Sequence, residues 1–582
     1  MTKNYEDFLK WNFYQIYPRS FKDANNDGIG DFQGIIQKIP HLAELGINAV
    51  WISPFFKSPN DDGGYDISDY YAVQDQFGTL ADFKEMLDRL HENGIKLIVD
   101  LVVNHTSTAH KWFQEAKKSK NNAYRDYYYW ADRPPTSWQS CFGGSAWQFD
   151  ETTRQYYLHS FAVTQADLNW ENPKVREEVE KIVDFWVDLG VDGFRCDVLD
   201  MISKDFEKGL NGNGPRLDEF IREIFGRETT SRLYTIGECW GVDEKRLYQL
   251  TAAERGELTA SFLAGNITNC RGRFQPISPD FDAIHRYFTK YQLFTQQHGL
   301  IFAPFFENHD QGRCVSRFAD DKKYRYESAT FFATLLYTSR GTPFILQGQE
   351  FGTPNATYPT IKSFNDVETL NFYYSEKPLK DQAAVMRLVN FGTRDNGRRP
   401  MAWHGGTNGG FNDGATPWLP LHSDYKRINL EEDKKQEKSI FAYYKRLISL
   451  RSSTNALIYG EFHDLTSEAR NYFAYSRTYG NETYVIVCNY AHPSKIALPK
   501  NLVKITSNYT DEQIGAAVSR SHLGSDCTAV EPNGSLKSAK RGNLNNTTSD
   551  PTEVKRGEQK ADPLFYPHLF RPYESIIYKL PD

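Results

Sequence analysis

The sequence predicts an α/β fold: a (β/α)8 TIM barrel with a subdomain inserted in the third βα loop and a C-terminal β-sandwich. Three observations lead there. Short apolar runs alternate with helical patterns eight times between residues 13 and 453. The third run is followed by a long stretch rich in Trp and Tyr and without clear periodicity. Beyond residue 455 the helical patterns give way to short strands.

The elements follow in order. "FYQIYPRSF" (13–21) reads as the first strand and precedes the helical "GIIQKIPHLAEL" (34–45). "NAVWISP" (48–54) is the second strand, "ADFKEMLDRLHENG" a helix, and "IKLIVDLVVNH" (95–105) the third strand. After the excursion at 106–170, "NPKVREEVEKIVDFWVDLG" (172–190) is a strongly amphipathic helix leading into "VDGFRCD", the fourth strand. "LYTIGE" (233–238), a weaker run near 258–264, "IFAPFFENHD" (301–310) and "TPFILQGQE" (342–350) complete the eight. Continuous apolar strands alternating with helices make a parallel sheet covered on both faces. Eight such units suit a closed barrel better than an open doubly wound sheet, and no glycine-rich phosphate loop follows the first strand. "KSIFAYYKRLISLRSS" (438–453) is the last barrel helix. The barrel is thus expected over 1–105 and 171–455, the inserted subdomain over 106–170, and the sandwich over 456–582. The polar stretch 530–562 inside the sandwich lacks the composition to bury a core and is expected to be a flexible loop.

Composition excludes several classes. With 582 residues, 40% hydrophobic, the chain can bury more than one core. A net charge of −7 and no long basic run argue against a nucleic-acid partner. The N-terminus carries no signal-peptide run and no stretch of 18 apolar residues occurs, so a cytoplasmic protein without a membrane partner is expected. Seven cysteines without CxxC spacing read as free thiols, not disulfides or a zinc site. The 15% aromatic content suits flat sugar rings and tightly packed loops equally well. Oligomeric state is open.

In a parallel barrel the active site lies at the C-terminal ends of the strands. Those ends carry Asp100, Asn104 and His105 on the third strand, Arg195 and Asp197 on the fourth, Glu238 on the fifth, and His309 and Asp310 on the seventh. Any one of these could merely cap a strand, but three carboxylates at three ends converge on one mouth. Cleaving a glycosidic bond with retention needs a carboxylate nucleophile and a carboxylic acid roughly 5 Å apart, and a third carboxylate can stabilise the cationic transition state. Arg195 stands two residues before Asp197, on the same face of the strand. Such a buried pair adds little stability, but the cation favours ionised Asp197. Glu238, in "IGECW" beside Trp240, is placed to be partly desolvated and so to keep a proton.

"DLVVNH", "GFRCDV", "GECW" and "ENHD" resemble, in order and spacing, the four motifs of the α-amylase superfamily, glycoside hydrolase family 13. The resemblance covers nearly the whole chain, including "QADLNWENP" and "FRPYESIIYKL", and is strongest to the oligo-1,6-glucosidase, dextran glucosidase and maltase branch. It implies Asp197 as nucleophile, Glu238 as acid/base and Asp310 as transition-state stabiliser, with Arg195, His105 and His309 against the −1 sugar and Asp100 behind Arg195. Through "GGYDISDYY" and "TRDNGRRPMAW" it places Tyr65, Asp66 and Arg398 at the pocket, with Asp66 and Arg398 clamping the 4-hydroxyl of a terminal glucose. That implies an exo-acting enzyme whose partner is a small oligosaccharide. Val198 after the nucleophile implies α-1,6 cleavage, hence isomaltose, panose and isomaltooligosaccharides. Maltose, sucrose (hydrolysed or isomerised) and trehalose 6-phosphate stay open as substrates, although no basic cluster serves a phosphate. A catalytically dead binding relative would lack the full carboxylate set that this chain carries. Ala166, the segment 261–273 and His404 depart from the branch's usual residues around the aglycone side.

In "DANNDGIGD" (23–31), Asp23, Asn25, Asp27, the Ile29 carbonyl and Asp31 match alternate ligand positions of an EF-hand loop, while Gly34 stands where the final acid belongs. Such a loop is often only a turn. The family resemblance implies a structural Ca²⁺, or Mg²⁺, in this first βα loop, outside the chemistry.

Overall fold

The computed structural model describes residues 5–263, 273–275, 279–466, 471–499, 501–509, 528–529 and 565–581. Eight parallel strands form the barrel: β1 (Phe13–Ile16), β2 (Ala49–Ile52), β3 (Lys96–Leu101), β4 (Gly193–Cys196), β5 (Tyr234–Glu238), β6 (Ala260–Phe262), β7 (Phe302–Ala303) and β8 (Phe344–Leu346). They pair in the order β7-β6-β5-β4-β3-β2-β1-β8. The gap between the ends closes where Thr342 N donates to Phe302 O (2.8 Å) and Phe344 N to Pro304 O (3.1 Å). Closure leaves no open edge. Apart from Lys96 and Tyr234 the strand residues are buried, which is why they read as continuous apolar runs.

Eight helices wrap the barrel: α1 (Phe32–Leu45), α2 (Leu80–Glu92), α3 (Pro173–Leu189), α4 (Leu217–Phe225), α5 (Glu244–Thr251), α6 (Phe281–Gln297), α7 (Arg325–Thr338) and α8 (Ile440–Ser452). The third shows how sequence sets the bounds. The Asn172 side chain accepts from Lys174 N, Pro173 takes the first helical position, and Gly190 ends the helix at φ 106°. Between those caps Val175, Val179, Ile182, Val183 and Trp186 form the stripe buried against the sheet.

The chain then enters β4 through Gly193, where an added Cβ would lie 1.9 Å from the Tyr234 carbonyl oxygen. Only glycine lets β4 run this close to β5. The register that results sets Arg195 beside Asp100 on one neighbour and beside Ile236 on the other.

Every barrel strand is shorter than the run read from the sequence; the first, expected over 13–21, spans only Phe13–Ile16. The third ends at Leu101, because the chain is already leaving the barrel. His105–Ser107 pairs antiparallel with Gln165–Asp167 at the root of the inserted segment. The seventh stops before Pro304, which has no N–H to extend a ladder, so Glu307–Asp310 lies in the loop beyond. The eighth spans three residues of the expected nine. Within the insertion, Trp130–Ala131, Gln155–Leu158 and Trp147–Asp150 make a small sheet packed on Ala146, Trp147 and Leu158.

After β8, the helices Val367–Glu376, Gln382–Gly392 and Asp395–Arg398 fill the long loop before α8. The C-terminal region folds as a five-stranded antiparallel sheet and a three-stranded sheet joined by Tyr472, Val485, Val487, Ile496, Phe570 and Ile576. The 530–562 stretch lies outside the described residues, as do Cys270 and Cys527. Cys141, Cys196, Cys239, Cys314 and Cys488 form no disulfide with one another. Among the described residues no helix is long and apolar enough to cross a membrane.

Candidate active site

A cavity of about 260 Å³ opens at the C-terminal mouth of the barrel. Asp197, Glu238 and Asp310 line it with Tyr65, His105, Val198, Asp62 and Arg394. Arg195 is at its root. Its Nη1 donates to Asp100 Oδ1 (2.7 Å) and Asp197 Oδ1 (2.6 Å), and its Nη2 lies 2.6 Å from Glu238 Oε2. One cation therefore serves three buried carboxylates. Trp51 Nε1 (2.8 Å) and the Tyr65 hydroxyl (3.3 Å) donate to Asp100 Oδ2 and fix this supporting carboxylate.

The electrostatics divide the three lining acids. Burial pushes the Glu238 carboxyl up, and the charges of Asp197 and Asp310 push it further, against the pull of Arg195. Burial also raises Asp197, again opposed by Arg195. Two carboxyls competing for one cation lose their protons in two coupled steps, both above the ordinary carboxylate range. Trp240 is 42% exposed at the rim, so burial within the barrel, and not this neighbour, keeps Glu238 protonated.

Asp310 goes the other way. Burial opposes its charge, but the charges of Arg398 and Arg394 outweigh burial and hold its carboxyl well below the usual range. Arg398 Nη2 (2.7 Å) and Arg394 Nη1 (3.2 Å) both meet Asp310 Oδ1. His309 accepts at Nδ1 from Gln15 Nε2 (2.7 Å), which leaves its proton on Nε2, 3.1 Å from Asp310 Oδ2. Burial, reinforced by the nearby arginines, lowers this imidazole to about 3 and keeps it neutral. Tyr65 stacks on the His309 ring at 5.2 Å. His105 Nε2 lies 3.2 Å from the Tyr65 carbonyl and 3.2 Å from Gln165 Nε2.

The expected Asp66–Arg398 clamp is corrected. The Asp66 carboxylate accepts from Ser58 Oγ (2.8 Å), Asp61 N (3.0 Å) and Asp62 N (3.2 Å). It is the fully buried hub of the loop after β2 and does not line the cavity. Gly63 and Gly64, both at positive φ, reverse the chain and present Asp62 to the cavity instead. Asp62 pairs with Arg394 (2.8 Å), whereas Arg398 serves Asp310. A signal for this was present: "TRDNGRRP" spaces Arg394 and Arg398 four apart, one helical turn. Sequence reasoning also missed Glu368 and Arg273, which line the cavity as an ion pair at 3.1 Å.

Val198 has φ 34°, in the left-handed region that β-branched residues avoid. This strained turn directs the Val198 N–H onto Glu238 Oε2 (3.2 Å). The residue that follows one acid thereby touches the other.

The first βα loop wraps around Asp23. Its Oδ1 accepts from Asn26 N (2.6 Å) and its Oδ2 from Gly28 N (2.8 Å) and Asn412 Nδ2 (2.8 Å). Asp31 caps α1 by accepting from Gly34 N (2.6 Å) and also takes Ala24 N and Asn25 N. Among the described residues no three His, Cys, Asp or Glu side chains are grouped as a metal site. What the loop offers is a mixed oxygen set, Asp23, Asn25, Asp27 and the Ile29 carbonyl, which suits a hard cation in kind.

A family model for the alpha amylase catalytic domain matches residues 15–460. The oligo-1,6-glucosidase of Parageobacillus thermoglucosidasius is 44% identical over 528 residues, 85% of this chain and 93% of that enzyme. Among solved structures, a mutant trehalose-6-phosphate hydrolase of Bacillus licheniformis superposes with a TM-score of 0.85 at 35% identity, covering 99% of this chain and 100% of that one. A mutant isomaltulose synthase of Erwinia rhapontici bound to its natural substrate sucrose gives 0.84 at 34% identity, with 99% of each chain covered. With the barrel, the three acids at its mouth and these matches together, the chain belongs to the α-amylase family of glycoside hydrolases.

Proposed function

We propose that this protein is a retaining, exo-acting α-glucosidase that releases glucose from the non-reducing ends of short α-glucosides and prefers α-1,6 linkages. The observation that carries it is the pocket. Asp197 and Glu238 share Arg195 at its root, and the Asp62–Arg394 pair lines it where a chain extended at the non-reducing end would have to pass.

In this reading Asp197 Oδ attacks the anomeric carbon as the bond to the leaving oxygen breaks, and Glu238 gives that oxygen its proton. Ionised Asp310 stabilises the positive charge that develops on the ring, and the neutral His309 Nε2–H and Arg195 orient the sugar. Glu238, now a carboxylate, takes a proton from water, which displaces Asp197 and restores the α-anomer. Asp62 and Arg394 take the clamping role that the sequence suggested for Asp66 and Arg398. Tyr65, stacked on His309, forms the pocket floor.

Substrates carrying a phosphate are disfavoured by the cations on hand. Arg273 is paired with Glu368, and Arg394 with Asp62, Asp366 and Asp310.

Linkage preference rests on Val198 and on the likeness to oligo-1,6-glucosidases. A valine methyl offers an apolar wall to the exocyclic carbon of an α-1,6 linkage, while threonine presents a hydroxyl to an α-1,4-linked ring. One such contact is worth roughly 10- to 200-fold in relative kcat/KM. The wild type should therefore prefer isomaltose to maltose, and Val198→Thr should shift the ratio toward maltose by a factor in that range. Rates on both disaccharides decide the matter: a wild type that already prefers maltose removes the α-1,6 reading, and an unchanged ratio removes Val198 as its determinant.

Asp23, Asn25, Asp27 and the Ile29 carbonyl are read as ligands of a structural Ca²⁺, with Asp31 acting through water or only as the helix cap. The ion would pin the loop that feeds α1. A chelator should then lower Tm, and excess Ca²⁺ should restore it by mass action. Metal analysis that finds no divalent ion, together with a Tm indifferent to chelator, would reduce the loop to a turn. A cytoplasmic site of action accords with cysteines that form no disulfide with one another.

A further inference from the structure

A second hollow, of about 440 Å³, adjoins the catalytic cavity and is larger than it. Phe142 and Phe161 line both spaces. Their rings meet edge to face at 5.6 Å and form a partition. Phe161 packs on the His105 ring (5.2 Å), and Phe142 lies under the Arg394 guanidinium (4.6 Å).

Three parts of the chain build the hollow. Asp61 comes from the loop after β2, His159 and Thr164 from the insertion, and Asn365 and Asn371 from the segment after β8. Each keeps a polar group unspent among the described residues. Asp61 and Asn365 use their backbone N–H groups and not their side chains. Thr164 uses its carbonyl and not its hydroxyl. Asn371 donates Nδ2 to the Phe142 carbonyl (3.0 Å) and keeps Oδ1. His159 donates its Nδ1–H to the Phe161 carbonyl (2.9 Å), which leaves Nε2 as a bare acceptor.

Water meets such groups on any surface. What singles these out is their convergence beside two aromatic rings and the apolar Val163 and Leu370. Amides, a hydroxyl, an imidazole and a carboxylate over an apolar floor suit the hydroxyls and the C–H face of a pyranose. The lining holds one carboxylate and no Lys or Arg, so it repels an anionic sugar. A single carboxylate also cannot cleave a glycoside by the two-carboxylate route.

We propose that this hollow is an accessory site that binds a neutral short α-glucoside without cleaving it. The proposal goes beyond the glucosidase reading and rests on it only for the identity of the sugar.

The test closes the catalytic pocket first. Conduritol B epoxide, a glucose-like epoxide, should alkylate Asp197: a carboxylate oxygen attacks one epoxide carbon, the C–O bond opens, and Glu238 protonates the released alkoxide. Calorimetric titration of the labelled, washed enzyme with isomaltose should still show a single binding site, with Kd in the millimolar range. Leu370→Trp fills the hollow and should weaken that binding about tenfold or more. Thr164→Val keeps the shape, removes one hydroxyl, and should weaken it about threefold or more. Both variants, unlabelled, should keep the wild-type kcat on isomaltose, which shows that they fold.

A labelled wild type that binds no isomaltose, or binding that Leu370→Trp leaves intact, would overturn the proposal. If the epoxide does not label Asp197, the glucosidase reading fails instead. The hollow is then judged on unlabelled protein titrated with glucose: loss of one binding event in Leu370→Trp supports the site, and its persistence overturns it.

Discussion

Asp197→Asn and Glu238→Gln each lower kcat on isomaltose by roughly 10⁴-fold or more, and combining them costs little beyond either alone. Both side chains are buried at the ends of adjacent strands, with one guanidinium between them. Neither substitution changes side-chain shape. Further measurements separate the two roles. Glu238→Gln should spare substrates with a good leaving group, which need no proton from the enzyme. Added azide should turn Glu238→Gln into a source of α-glucosyl azide. A cavity-forming Asp197→Gly should give the β-azide instead.

NMR of the first-formed glucose should show the α-anomer, and initial β-glucose would sink the assignment. The pH profile follows from the shifts. Both carboxyls are pushed up by burial, so both limbs should lie above the ordinary carboxylate range. Rate rises with pH as the pair gives up its first proton, which frees Asp197. It falls again as the second leaves and Glu238 can no longer act as an acid. Glu238→Gln should abolish the alkaline limb.

The second large effect is expected at Arg195. Replacing it with methionine leaves Asp100, Asp197 and Glu238 buried without the cation they share. Removing one partner of a buried ion pair typically costs about 3–5 kcal/mol. Here the loss can be relieved only by taking up protons. Arg195→Met should therefore lower the denaturation midpoint and abolish measurable turnover near neutral pH, and the loss of stability should shrink as pH is lowered and the stranded acids neutralise. Arg195→Lys should recover little, because a single ammonium cannot span three carboxylates as two guanidinium nitrogens do. A Met variant with an unchanged midpoint would mean that the three acids do not depend on this cation.

The candidate catalytic carboxylates Asp197 and Glu238 were legible in the sequence because each stands where an apolar strand stops, while Asp310 stands in the loop past the apolar run 301–306. The pocket's closed end was not. Asp62 and Asp66 are the same residue four positions apart in one loop, and which of them faces the cavity is decided by the reversal at Gly63 and Gly64. Arg394 and Arg398 pose the same ambiguity one helical turn apart. The backbone at Val198 was also hidden, since local preference argues against a β-branched residue at positive φ, and only the surrounding packing imposes it. Strand β6, with Ala260 and Ser261 among its three residues, gave a faint signal because it is short and carries small side chains.

Asp62 and Arg394 are 332 residues apart in the chain, and β1 finds one of its two lateral partners only when Phe344–Leu346 is in place. During synthesis, therefore, the first strand must wait with one side unpaired while more than half of the protein is made. Such long-range closure is slow and exposes sticky intermediates. The consequence concerns quality control. Because Arg394, the partner of Asp62 in the pocket, comes 84 residues after Asp310, a nascent or prematurely terminated chain can hold all three acids and still lack this pair. Glucose release then reports that the polypeptide has been made and folded at least as far as Arg394.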